Sequence, residues 1–154
     1  MARIALTEAL AQEILQAQKI VDEDMIWQTD LETNYFKATA VARVGLRIPL
    51  KVHMNANKSD PTKISVTLVV SGAYPIFRLD VNGSHQNRHT DAGRWHRQTH
   101  KHRWTDNCRD AFAYTPIEVI PNDPEGVFRE FCAEANIEFR GHVGNFPAAQ
   151  LELI

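Results

Sequence analysis

The sequence predicts a single α+β domain spanning residues 1–154, an antiparallel sheet of about five strands flanked by an N-terminal and a C-terminal helix. Three observations carry that prediction. Apolar residues recur with helical spacing over 5–21, alternate with period two through 35–81, and return to helical spacing after Pro124. The length of 154 residues is enough for one core and short for two. No internal repeat and no low-complexity linker divides the chain.

Leu6, Leu10, Ile14, Ala17 and Val21 stand three and four apart, with Glu8, Gln12, Glu13, Gln16 and Lys19 on other faces, which predicts an amphipathic helix over 5–21. After the acidic link Asp22-Glu23-Asp24, Phe36, Ala38, Ala40, Ala42 and Val44 alternate with polar partners, as a half-buried strand requires. Gly45 marks the connection to a second strand carrying Ile48, Leu50, Val52 and Met54, whose polar side holds His53. The turn-rich stretch Asn55–Thr62 leads to Ile64, Val66, Leu68 and Val70. Ser71-Gly72 then turns the chain into a strand over Tyr74–Val81, on which Arg78 and Asp80 are expected to point outward as a surface ion pair. Asp123 before Pro124 is a helix start, Val127, Phe128, Phe131, Cys132 and Ala135 are its apolar stripe, and Asn136 is its stop. Residues 137–154 are short and mixed, and His142 within them reads as a loop histidine.

Composition narrows the function classes. At 44% hydrophobic and 23% charged the chain is a globular protein rather than a disordered one. No apolar run approaches the roughly 20 residues that cross a bilayer, and two cysteines make no disulfide framework, so a cytoplasmic location without membrane partners is expected. Net charge is −2, which argues against a generic polycation.

Chemistry concentrates in one segment. Five of the seven histidines, His85, His89, His96, His100 and His102, fall within eighteen residues, interleaved with Arg88, Arg94, Arg97, Lys101 and Arg103. Histidine titrates near neutrality and ligates metals, so such a cluster suits acid–base chemistry or metal binding. Residues 83–95 read as an irregular loop and His96–Trp104 as a strand placing His96, His100, His102 and Trp104 on one face.

Three readings compete for that face. In the first, a His-x-His pair holds a divalent metal, with a third ligand from His85, His89, Asp91 or Cys108. In the second, His85, His100 and His102 serve as general acid and base on a phosphodiester, Tyr114 positions, and Arg97 or Arg103 neutralises charge. In the third, the basic residues and Trp95 and Trp104 bind nucleic acid, or dock an acidic protein, without catalysis.

The run Phe77-Arg-Leu-Asp-Val-Asn-Gly-Ser-His-Gln-Asn, then Thr99-His-Lys-His, Ala113-Tyr114, Phe131-Cys-Ala-Glu-Ala-Asn-Ile and Gln150-Leu-Glu-Leu resembles a family of small uncharacterised bacterial and phage proteins. The similarity spans roughly residues 74–154. It implies no reaction, but singles out His85, Asn87, His100, His102 and Tyr114 and implies a phage or mobile-element setting. The resulting expectation is a ribonuclease- or phosphodiesterase-like protein acting on nucleic acid or nucleotides. His85, His100, His102 and Tyr114 would be catalytic, and Asn87, Arg97, Lys101, Arg103 and Trp104 would hold phosphate. The alternative is a non-enzymatic inhibitor of a host defence or nucleic-acid-processing protein, with or without a His-ligated metal.

Overall fold

A computed structural model describes residues 6–29, 31–45, 47–82, 85–86, 95–96, 99–118 and 120–147. In chain order the elements are α1 (Glu8–Gln16), β1 (Lys19–Val21), β2 (Gln28–Thr29), β3 (Tyr35–Val44), β4 (Leu50–Asn57), β5 (Ile64–Val70) and β6 (Tyr74–Val81). There follow β7 (His85–Gln86), β8 (Trp95–His96), β9 (His100–Thr105), β10 (Arg109–Tyr114), α2 (Pro124–Glu134) and β11 (Ile137–Phe139). The main sheet has nine strands in the order β10-β9-β6-β5-β4-β3-β1-β11, with β2 also on β3, and β7 and β8 form a separate pair.

The five-strand antiparallel sheet is therefore corrected to a larger, mixed one, because β11 runs parallel to β1. The physical reason is length. β1, β2 and β11 have two or three residues each, too few for a period of two to register, and β10 is too polar to alternate, while β9 falls largely within the strand expected over 96–104. The meander β3-β4-β5-β6 matches the sequence reading, with Ala38, Met54, Val66 and Leu79 in register across it. Ser71 and Gly72 both have positive φ (52° and 71°), the backbone a tight right-twisted hairpin needs.

The first helix is half the expected length. Thr7 caps it, its hydroxyl accepting from the Leu10 amide at 3.1 Å, and Ala17 is already extended. Helical spacing beyond Ala17 is coincidence, since Val21 is buried from a strand instead. Lys19, placed on the polar face by the sequence, is 0% exposed. Its ammonium donates to the carbonyls of Leu15 at 2.8 Å, Ala17 at 2.7 Å and Ala135 at 2.6 Å. One side chain thereby satisfies the C-terminal carbonyls of both helices. Burial pushes its pKa down to about 8, which still leaves it charged at neutrality.

The second helix follows the sequence closely. Asp123 accepts from the Gly126 amide at 2.9 Å, Pro124 opens the first turn, and Asn136 ends it at φ 55°. Both helices bury their apolar stripes in one core, Ala11 and Ile14 from α1 and Val127, Phe128 and Phe131 from α2, with Phe131 5.2 Å from Phe77 of the sheet. The opposite face of β3 to β5 carries the polar residues of each alternation. Residues 141–144, hard to assign from sequence, run beside residues 24–26, where a Cβ on Gly141 would meet the Glu23 carbonyl at 2.2 Å.

Cys132 lies inside the core, and burial pushes its thiol up to about 12. Because the thiolate is the nucleophile, Cys132 is expected to resist alkylation by iodoacetamide in the folded protein and to react only on unfolding. Mass-spectrometric mapping of the labelled cysteine against time checks this; fast labelling of Cys132 under native conditions contradicts it.

Candidate metal centre

The open face carries two adjacent rows of polar residues, set by the strand register. One runs Lys37, Asn55, Ser65, Asp80, His100; the other runs Thr39, His53, Thr67, Arg78, His102. At the β3 end these side chains are exposed, and at the β6–β9 end they are closed off. Asp80, His100 and His102 are 4%, 0% and 6% exposed.

Three ligand atoms converge there. Asp80 Oδ2 lies 3.1 Å from His100 Nε2 and 3.4 Å from His102 Nε2. The two imidazole rings are 4.9 Å apart at 65°. Both separations are contact distances between a carboxylate oxygen and a ring nitrogen, so the three groups interact directly.

The surroundings aim the three groups. Ser65 Oγ donates to Asp80 Oδ1 at 2.6 Å, and Arg78 Nε donates to the same oxygen at 2.8 Å, which turns Oδ2 toward the histidines. His102 Nδ1 lies 3.2 Å from the Asp110 carbonyl, and a carbonyl only accepts, so that nitrogen carries the proton. In the neutral ring Nε2 then presents its lone pair to the carboxylate, a contact that a proton or a metal ion on Nε2 makes favourable. Burial acts to raise the Asp80 carboxyl, but His100, His102 and the Arg78 guanidinium outweigh it and hold the group well below the usual carboxylate range. Asp80 is therefore held in its carboxylate form.

Among the described residues this is the one group of three or more His, Cys, Asp or Glu with ligand atoms close together, all within 4.8 Å. The sequence reading had His100 and His102 and missed the third member. Asp80 is not an outward surface residue; its ion pair with Arg78 exists, but the carboxyl is buried at the seam with β9. Its signal was a lone carboxylate two residues from Arg78 on an otherwise apolar strand. Only the pairing of β6 with β9 brings that strand opposite the His-x-His.

The other expected site residues are dispersed. His96 does not extend β9: it lies in β8 and pairs with His85 of β7, and the side chains of both fall outside the described residues. Asn87, Arg97, His89 and Asp91 also lie outside them. Lys101, Arg103 and Tyr114 belong to the helix side of the sheet, away from the histidines. Lys101 is buried, paired with Glu118 and, at 2.5 Å, with Glu134 of α2. Arg103 stacks over Phe112 at 5.0 Å. Tyr114 has its phenol pKa raised by burial and by Glu134. Trp104 is buried edge-on against Tyr74 at 5.9 Å, a core residue rather than a stacking platform. Cys108 sits in the turn after β9, outside the cluster.

The Lys101 pairs give a pH dependence. Burial acts to lower the lysine, the two carboxylates outweigh it and hold it above its usual value, and the bond to Lys101 holds Glu118 below 4.5. The unfolded chain therefore binds more protons at Glu118 as pH falls below 4.5, and stability declines there. Glu118→Gln is expected to remove about 1 kcal/mol or less of that decline, since the glutamate is half exposed and screened. Urea unfolding between pH 3 and 6, scaled as about one ordinary carboxylate range, checks it.

Fold and site together define a mostly β protein, a nine-stranded mixed sheet with two helices on one face and a buried His-Asp-His cluster at one end of the other. The chain belongs to a family of unknown function (DUF6978), matched over residues 6–137. No curated protein and no solved structure matches it. Among the described residues no helix is long and apolar enough to cross a membrane.

Proposed function

We propose that this protein binds one divalent transition-metal ion through Asp80 Oδ2, His100 Nε2 and His102 Nε2. The carrying observation is the pair of Oδ2···Nε2 distances, 3.1 and 3.4 Å. Ligands about 2.1 Å from one ion stand about 3.0 Å apart at right angles and about 3.4 Å apart at tetrahedral angles. The two imidazoles and one carboxylate suit Zn²⁺ or Fe²⁺ and exclude a calcium-type site, which is built from oxygen. Ser65 and Arg78 supply the outer-shell bonds that orient a ligating carboxylate, and the Asp110 carbonyl does so for His102.

The ion joins β6 to β9 and so anchors the β9–β10 edge of the sheet. The hydrolytic reading has less support: imidazoles this deeply buried do not meet a polymer's ribose hydroxyl, and Tyr114, Arg103 and Lys101 lie on the other face. The test is metal analysis of the untagged protein after incubation with zinc and dialysis. About one ion per chain is expected for the wild type and under about a tenth for His102→Ala. A folded wild type carrying no metal, or His102→Ala carrying as much, overturns the reading.

A further inference from the structure

We propose that Ser65 and Arg78 set the metal preference of the buried site. By holding Asp80 to one ligating oxygen they select ions that accept four-coordination, zinc and cobalt(II), over ions that demand six. This rests on the metal-binding reading above and adds what decides between ions.

The donor count starts at Asp80. A carboxylate binds a metal through one oxygen or chelates it through both. Here Oδ1 accepts from Ser65 Oγ at 2.6 Å and from Arg78 Nε at 2.8 Å, two donors for its two lone pairs. A metal bond to Oδ1 has to displace one of them. Oδ2, 3.1 and 3.4 Å from the two histidine nitrogens, is left as the ligand. Each histidine adds one nitrogen, and among the described residues the group has no fourth His, Cys, Asp or Glu. The protein thus offers three donor atoms.

The separations alone do not choose a geometry. On bonds of about 2.1 Å, 3.1 Å corresponds to an angle of about 95° and 3.4 Å to about 108°, between octahedral and tetrahedral. Burial chooses it. Asp80, His100 and His102 are all buried, so a six-coordinate ion has to bring three waters into an enclosure where a four-coordinate ion brings one. Carboxylates that would replace those waters are missing, since β4, β5 and β9 carry none. Charge acts in the same direction. One carboxylate beside the permanent cation of Arg78 suits a hard, oxygen-seeking ion poorly, whereas two imidazoles suit zinc.

The experiment titrates the untagged, metal-free full chain with Co²⁺, Ni²⁺ and Zn²⁺ in turn and records the visible spectrum of the cobalt form. The wild type should show the intense blue absorption of four-coordinate cobalt, which zinc displaces. Cobalt should bind at least about tenfold more tightly than nickel, the reverse of their order with unconstrained ligands. The double variant S65A/R78Q frees Oδ1 to chelate. Its cobalt form should fade to the weak pink of higher coordination, and its preference for cobalt over nickel should fall by about tenfold. Ser65→Thr, which keeps a hydroxyl donor, should keep the blue spectrum. If Ser65 and Arg78 only support the fold, the double variant binds all three ions more weakly and its cobalt spectrum stays blue. A circular dichroism melt shows whether the double variant is folded; if it is not, the wild-type spectrum and the cobalt-to-nickel order decide alone. Pale cobalt in the wild type, nickel bound more tightly than cobalt, or an unchanged spectrum in a folded double variant overturns the inference and leaves the metal site standing. Failure of all three ions to bind the wild type removes site and inference together.

Discussion

Replacing Lys19 by methionine is expected to lower the free energy of unfolding by about 3–5 kcal/mol, although methionine fills nearly the same space. The stem is not what matters. The ammonium carries three N–H donors, and three carbonyls, of Leu15, Ala17 and Ala135, accept them within 2.6–2.8 Å. Without the ammonium those buried oxygens lose their donor, at roughly 1–3 kcal/mol for an unsatisfied group, partly relieved by solvent entry. The helix dipoles add to this, because the positive charge sits at the C-terminal ends of α1 and α2 together. Urea unfolding followed by far-ultraviolet circular dichroism measures it. Lys19→Arg should also destabilise, since a planar guanidinium cannot point three hydrogens at three carbonyls arranged around one nitrogen. A loss under about 1 kcal/mol in Lys19→Met would mean that the carbonyls find other partners.

Lys19 also shows where a sequence is legible and where it is not. Patterns within one element survive translation into structure: the alternation of Phe36 to Val44, the Asp123-Pro124 start and the Asn136 stop each need only their neighbours in the chain. Lys19 sat at a polar position of an apparently helical stripe, and only the approach of Ala135, 116 residues away, makes its burial tolerable. Asp80 failed for the same reason. Its strand could be read, but its partner strand lies beyond the histidine-rich loop, and the pairing Asp80 with His100 is a fact about the sheet order. His100 and His102 were legible as a pair because period two is local. The same period puts Lys101 and Arg103 on the opposite face, and Tyr114, in register with Lys101, lies there with them, so a phosphate site combining them with the histidines would have to span both sides of the sheet.

Adding zinc to metal-free protein is expected to raise its unfolding free energy by about 2.7 kcal/mol at a free concentration of 100 times the dissociation constant. For a chain of this size that is a shift in Tm of about 5–10 °C. The size follows from where the ligands lie. Asp80 belongs to β6 and both histidines to β9, so the ion crosses a seam whose register holds only from Phe77–Arg103 to Asp80–His100. Beyond that seam β10 pairs with β9 alone in the main sheet, so both edge strands depend on it. Asp80→Asn keeps the shape and the contact with Ser65 but removes the charge that makes the site attractive to a cation; it should bind zinc far more weakly and gain no Tm. His102→Ala should behave likewise, while His53→Ala, on the exposed part of the same row, should keep the full zinc response. Hydrogen exchange gives the local counterpart: amides of β9 and β10 should slow on zinc addition more than those of β3 and β4, whose pairing needs no ion. If the cluster is instead held by protons on the imidazoles, zinc leaves the wild-type transition unchanged, and the distances at Asp80 describe a polar network that stabilises the seam without a metal.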